Sequence, residues 1–79
     1  MPTLQVPGLN VQLPLEEVAE GHLLAEAAPA EVEAAARDAL LQWLGGMAAV
    51  APGPRWDAAG RAWRGTVRYL GEEYEWSMR

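Results

Sequence analysis

The chain has 79 residues, with eleven acidic and six basic side chains for a net charge of −5, and it contains no cysteine. This length predicts one domain, over residues 1–79, whose core buries only about 60 % of the surface of the unfolded chain and leaves little room for a deep active site. The missing cysteines exclude disulfides and thiolate metal sites, and the acidic balance opposes tight binding to nucleic-acid phosphates.

The sequence predicts neither a membrane protein nor a secreted one. Its apolar runs are shorter than the roughly 18–20 residues of a membrane-spanning helix. Residues 1–3 lack the basic start of a secretory signal. We therefore expect a cytoplasmic protein without a membrane partner.

The first element is a predicted strand. Apolar residues occupy alternate positions, as is typical of a strand with one buried face, at Leu9, Val11, Leu13 and Leu15. Pro7 and Gly8 form a turn dipeptide that would join this strand to a short extended piece before it. Pro14 lacks a backbone N–H, so the strand is expected at a sheet edge. The pattern predicts an N-terminal edge strand or hairpin, followed by irregular or short helical structure over residues 15–28.

One amphipathic helix is predicted over about residues 29–44. Pro29 suits the first helical position, and acidic Glu31 and Glu33 fall in the first turn, where the helix dipole favours them. Apolar residues recur at three-and-four spacing, and Gly45 and Gly46 provide a stop. We expect the last apolar residues of this stripe to cover the sheet: Leu40, Trp43 and Leu44.

The C-terminal third predicts a three-stranded antiparallel meander packed on the helix. A turn at residues 57–60 would join a strand near residues 54–57 to one that begins at Arg61. A type II′ turn at Gly71 and Glu72 would then place Val67 opposite Trp76. Gly65 in mid-strand indicates a bulge or a close backbone approach. Residues 47–51 are compatible with one more strand, and the whole pattern predicts an α+β fold.

The predicted hairpin has two chemically different faces. One face collects apolar and aromatic side chains, namely Trp63, Val67, Tyr69, Tyr74, Trp76 and Met78. The other collects polar ones, namely Arg64, Thr66, Arg68, Glu75 and Ser77. Because the chain has no Phe or Ile, we expect its tryptophans to build the core.

Candidate catalytic and metal-ligating residues are few. His22 is the only histidine, with Glu16, Glu17, Glu20 and Glu26 nearby, but one histidine without a spaced partner is a poor ligand set. Ser77 is the only serine, and no base or oxyanion-hole motif accompanies it. We therefore predict no catalytic residue, no metal and no cofactor, and expect a protein that is not an enzyme.

The composition favours a small acidic, non-enzymatic protein-protein interaction or regulatory protein, and a phage-encoded origin is compatible with it. The partner would be another protein or a second copy in a homodimer, bound by strand addition at the edge or by charged surface. The predicted partner-binding residues are Leu9, Val11, Leu13, Glu31, Arg64 and Arg68. The alternative is single-stranded nucleic-acid binding through the Arg- and Trp-rich C-terminal sheet, where bases would stack on exposed rings.

Overall fold

The structure, a computed structural model, describes residues 2–15 and 24–79. It contains one α-helix, six strands and three short 3-10 turns in these ranges. The helix is α1 (Pro29–Leu44), and the strands are β1 (Thr3–Val6), β2 (Val11–Pro14), β3 (Ala48–Val50), β4 (Arg55–Asp57), β5 (Ala62–Tyr69) and β6 (Glu72–Met78). The predicted α+β class is confirmed.

All strand pairings are antiparallel and join the described strands into one sheet with the order β2-β1-β6-β5-β3. Strands β3 and β4 both pair with β5, β3 near its C-terminal end and β4 near its N-terminal end. Strand β1 pairs with β2 on one side and with β6 on the other. The first and last segments of the chain therefore meet in the middle of the sheet.

Helix α1 has the predicted bounds, and its buried side chains are Val32, Ala36 and Leu40. These residues are four apart, so they form one stripe along the helix. Gly45 follows the helix with φ 76°, a conformation that glycine adopts without strain. Of the three side chains predicted to cover the sheet, Leu40 is buried and Leu44 packs partly against the core. Trp43 is 61 % exposed, so its predicted place in the core is wrong.

The hairpin between β5 and β6 differs from the predicted one by two residues. Its central turn residues are Leu70 and Gly71, with φ 52° and 82°, and Tyr69 lies opposite Glu72. Two positive φ values are those of a type I′ turn, so the predicted type II′ turn is wrong. Because a slip of two residues preserves the alternation of side chains, each residue still lies on its predicted face.

Helix α1 packs on the apolar face of the sheet, where an aromatic ring fills the space above a glycine. Gly65 lies opposite Trp76, and a Cβ atom added at Gly65 would meet the Trp76 ring at 2.4 Å. The pairing of β5 and β6 continues through Gly65 without a bulge. The close-approach interpretation of this glycine is therefore the one that the structure supports.

Candidate functional site

The edge strand β2 offers little backbone for strand addition. The N–H of Leu15 donates to the carbonyl of Pro2 at 2.9 Å, so Leu15 faces β1. Because strand residues alternate in direction, Val11 and Leu13 face β1 as well, whereas Gln12 and Pro14 face outward. Pro14 has no N–H, which leaves Gln12 with the only outward amide of β2. Proline at this position is a known protection of a sheet edge.

The side chains predicted for this edge point into the protein. Val11 and Leu13 lie opposite Val6 and Leu4, whose side chains are fully buried in the core. Val11 itself is buried, and Leu9 and Leu13 pack against the core. These three predicted binding residues therefore support the fold, and a partner at this edge would meet Gln12 and Pro14.

Arg64 is held by two carboxylates of neighbouring strands. Its Nε donates to Asp57 Oδ2 at 2.9 Å, and its Nη1 donates to Glu75 Oε1 at 3.2 Å. The hydrogen bond with Asp57 raises the pKa of Arg64, and the same bond lowers the pKa of the Asp57 carboxyl. Arg64 thus ties β4, β5 and β6 together, while Arg68 is exposed and lies opposite Glu73.

The arginines and the aromatic rings of the C-terminal strands lie on opposite faces. Arg64 and Arg68 project from the polar face, whereas Trp63 is only 4 % exposed and Trp76 is fully buried on the helix side. Trp56 meets Trp63 edge to face, with ring centroids 5.8 Å apart. Stacking of bases needs exposed rings beside the cations. This arrangement separates the two parts that the nucleic-acid alternative requires.

Glu31 is exposed in the first turn of α1, beside a carboxylate that has a structural role. Glu33 accepts hydrogen bonds from the backbone N–H of Gly53 and from Arg37 Nη2, each at 2.8 Å. The Gly53 bond, with a further contribution from Arg37, lowers the pKa of Glu33. The predicted binding residues consequently do not form one surface, because three of them pack inward at β2, Glu31 lies at the start of the helix, and Arg64 and Arg68 lie on the polar face.

Three large apolar side chains at one end of the molecule are mostly exposed. Trp43, Met47 and Leu70 are 61 %, 65 % and 62 % exposed. Met47 immediately precedes Ala48, and Ala48 lies opposite Tyr69, which precedes Leu70. Trp43 is in the last turn of the helix, four residues before Met47. Connectivity and the β3–β5 pairing bring these three residues to the same end of the sheet, and we call Trp43, Met47 and Leu70 the open end.

Trp43 lies on the stripe of α1 that faces the sheet. At 100° per residue, it is within about 60° of Leu40 and continues the line of Val32 and Ala36. Its neighbours on that stripe are fully buried, whereas Trp43 is not. The stripe is therefore covered at Val32, Ala36 and Leu40 and left largely uncovered at Trp43.

Leu70 combines exposure with an unfavourable backbone conformation. Its φ of 52° is in the left-handed region, which costs most residues other than glycine roughly 1–2 kcal/mol. Asn or Gly is usual at this position of a type I′ turn. Because the side chain is also mostly exposed, the fold gains little from leucine here. The Leu-Gly pair between two predicted strands was the sequence signal for an exposed turn at Leu70, whereas the helix stripe indicated a buried Trp43.

Metal-ligating side chains do not come together in the part of the chain that the structure describes. Residues 2–15 and 24–79 contain no group of three His, Cys, Asp or Glu side chains that could hold a metal ion. Ser77 is buried on the polar face of the sheet. His22, Glu16, Glu17 and Glu20 lie outside the described residues. Within the described ranges, no helix combines the length and the apolar character needed to cross a membrane.

Comparisons with protein-family models, with curated proteins and with solved structures find no match to this chain.

Proposed function

We propose that this is a non-enzymatic protein-protein interaction module and that its binding surface is the open end. The observation that carries the proposal is the joint exposure of Trp43, Met47 and Leu70 in a domain whose other large apolar side chains mostly pack into the core. Exposed apolar patches rimmed by polar residues mark interaction sites. Tryptophan is also among the residues that most often dominate binding energy at interfaces.

The backbone conformation of Leu70 adds to this support. A strained backbone at an exposed leucine lowers the stability of the fold without a gain in burial. Sites that bind partners often carry residues that are unfavourable for folding, since stability and activity select different side chains. Leucine at this turn is explained if its side chain is buried when a partner binds.

Two other proposals have less support in the geometry. Self-pairing of β2 into a homodimer would have to use an edge with one outward amide, at Gln12. Nucleic-acid binding would have to use arginines from one face of the sheet and rings from the other. Regulatory action in the cytoplasm remains compatible with an interaction module and is part of the proposal.

Selection of peptides from a displayed random library tests the proposed surface. We expect peptides enriched on the natural protein to lose binding to Trp43→Gln and to Leu70→Asn. Leu41→Gln is the matched control, because Leu41 is an exposed leucine on the same helix about 160° around the axis from Trp43. That variant is expected to keep binding.

The result that would overturn the proposal is equally specific. Enriched peptides that bind all three variants as well as the natural protein would place the interaction elsewhere. Gln12→Pro then tests the β2 edge, because it removes the outward amide while leaving the amides of Val11 and Leu13 paired with β1. Loss of peptide binding in that variant alone would assign the function to strand addition.

A further inference from the structure

We infer that the open end takes a short, positively charged segment of another protein, anchored by a large apolar side chain; this inference rests on the proposed function. Two properties of the surface lead to it. The first is the size of the exposed apolar area, and the second is the distribution of charge around it.

The area is too small for a stable pairing of two globular surfaces. One tryptophan, one methionine and one leucine, each somewhat over 60 % exposed, present on the order of 300–400 Å². A stable interface between two folded proteins takes about 800 Å² from each partner. A second copy of this chain would therefore need contacts well beyond the open end. A short segment can place one or two apolar side chains there and leave the rest of its length in contact with the rim.

The rim of the open end carries an acid without a partner in the described residues. Glu72 lies opposite Tyr69, and alternation along β6 places its side chain on the helix side of the sheet. Glu72 is exposed and forms no ion pair within residues 2–15 and 24–79. It is two residues from Leu70, so a cation on a bound segment could reach it while an apolar side chain contacts the cluster.

The net charge of −5 comes from the first half of the chain. Residues 1–46 contain seven acids and one arginine, a net charge of −6, whereas residues 47–79 contain four acids and five arginines, a net charge of +1. The arginine of the first half, Arg37, is paired with Glu33. Arg64 and Arg68 project from the opposite face of the sheet. An approaching basic segment is therefore attracted, and a second acidic copy is repelled.

Two synthetic peptides and four variants test the inference. One peptide carries leucines at helical spacing and lysine at all remaining positions. The second peptide has glutamate in place of each lysine. We expect the lysine peptide to bind, measured by fluorescence anisotropy, and the glutamate peptide to bind at least tenfold more weakly. Trp43→Gln should weaken binding of the lysine peptide by about 30-fold, which is typical for loss of a dominant interface tryptophan. Glu72→Gln should weaken it by about threefold to fivefold, an effect that added salt removes.

The controls separate this inference from the proposed function. Glu31→Gln removes one exposed acid at the far end of the helix and should leave the affinity within a factor of two. If both peptides bind equally and Trp43→Gln weakens the binding of both, the inference of a positively charged partner is overturned. The proposed function of the open end as an interaction surface would then still hold. Peptide binding that is indifferent to Trp43→Gln would overturn both. Self-association of the natural protein in light scattering, abolished by Leu70→Asn, would overturn this inference in favour of a second copy.

Discussion

The two ends of the helix–sheet layer differ most clearly in their tryptophans. Trp63, near the start of β5, is 4 % exposed, donates its indole N–H to the carbonyl of Leu24 at 2.9 Å and meets Trp56 edge to face. Trp43, by the other end of the same strand, is 61 % exposed. Trp63 and Tyr69, the residue before Leu70, are six residues apart on β5, which is roughly 20 Å. The difference shows that this fold completes its core at one end and leaves it open at the other.

Truncation of one tryptophan at each end should give the largest contrast in stability. Trp63→Ala should lower the free energy of unfolding by about 3–5 kcal/mol, because it removes a buried ring and leaves a cavity. That is most of the ~5–10 kcal/mol available to a small domain. Trp43→Ala should lower it by no more than about 1–2 kcal/mol, since most of the residue is exposed. Urea denaturation measures both, and similar losses in the two variants would contradict the comparison.

Glycine substitutions should repeat the contrast at a smaller scale. Gly65→Ala places a methyl group against the buried Trp76 ring, at 2.4 Å, and should lower the free energy of unfolding by about 1–3 kcal/mol. Gly46→Ala is the matched control at the open end, where nothing apart from the adjacent residues of the chain lies within 4 Å of the added Cβ. It should change stability by less than about 0.5 kcal/mol. A destabilising Gly46→Ala would show that the open end is packed.

Replacement of Leu70 should stabilise the fold. Asparagine tolerates a positive φ better than leucine does, so Leu70→Asn should raise the free energy of unfolding by about 0.5–1 kcal/mol. Thermal unfolding followed by circular dichroism measures the change. Leu41→Asn removes an exposed leucine from ordinary helical backbone and should give no gain. A loss of stability in Leu70→Asn would mean that the leucine side chain is part of the core.

The smallest expected effect is a pH dependence of stability that comes from Asp57 on the polar face. The hydrogen bond from Arg64 holds the pKa of Asp57 below its ordinary value near 3.8, so folding favours the charged carboxylate. The stability that Asp57 contributes is therefore present above that ordinary value and is lost as the pH falls through the lower folded pKa. The difference in stability between the natural protein and Asp57→Asn should shrink below about pH 4, by acid titration in urea.

The same titration in an Arg64→Met background provides the control. Without the guanidinium, the carboxyl loses the main cause of its lowered pKa, and the acid-dependent difference should largely disappear. An unchanged difference in that background would place the cause in the backbone N–H groups of the turn, among which Gly60 also lowers the pKa of Asp57.

The α+β class, the bounds of α1 and the two faces of the hairpin were predictable because each depends on local periodicity. The pairing of the hairpin strands was not predictable in this way. Turn preferences disfavour leucine at a positive φ, so they indicated a turn that begins at Gly71 and not at Leu70. The exposure of Trp43 depends on how far the sheet extends beneath the helix. The extent of the sheet depends on the long-range pairing of β3 with β5, and the apolar pattern of the helix carries no information about that pairing.

The candidate site was harder to predict for a related reason. Alternation correctly identified an apolar strand around Val11 and Leu13, but the side of β2 on which its amides are free depends on the pairing with β1. The open end is assembled from a helix end and a turn that are 26 residues apart in the sequence, from Leu44 to Leu70. No motif spans that distance, so only the fold brings its parts together.

The most direct test of the open end is collisional quenching of tryptophan fluorescence by acrylamide, with and without the lysine peptide. Trp43 should supply most of the readily quenched emission, so Trp43→Phe should remove that component, whereas Trp63→Phe should retain it. The peptide should shield the same component in the natural protein. Undiminished quenching in Trp43→Phe, or quenching that the peptide leaves unchanged, would contradict an exposed tryptophan that serves as the binding surface.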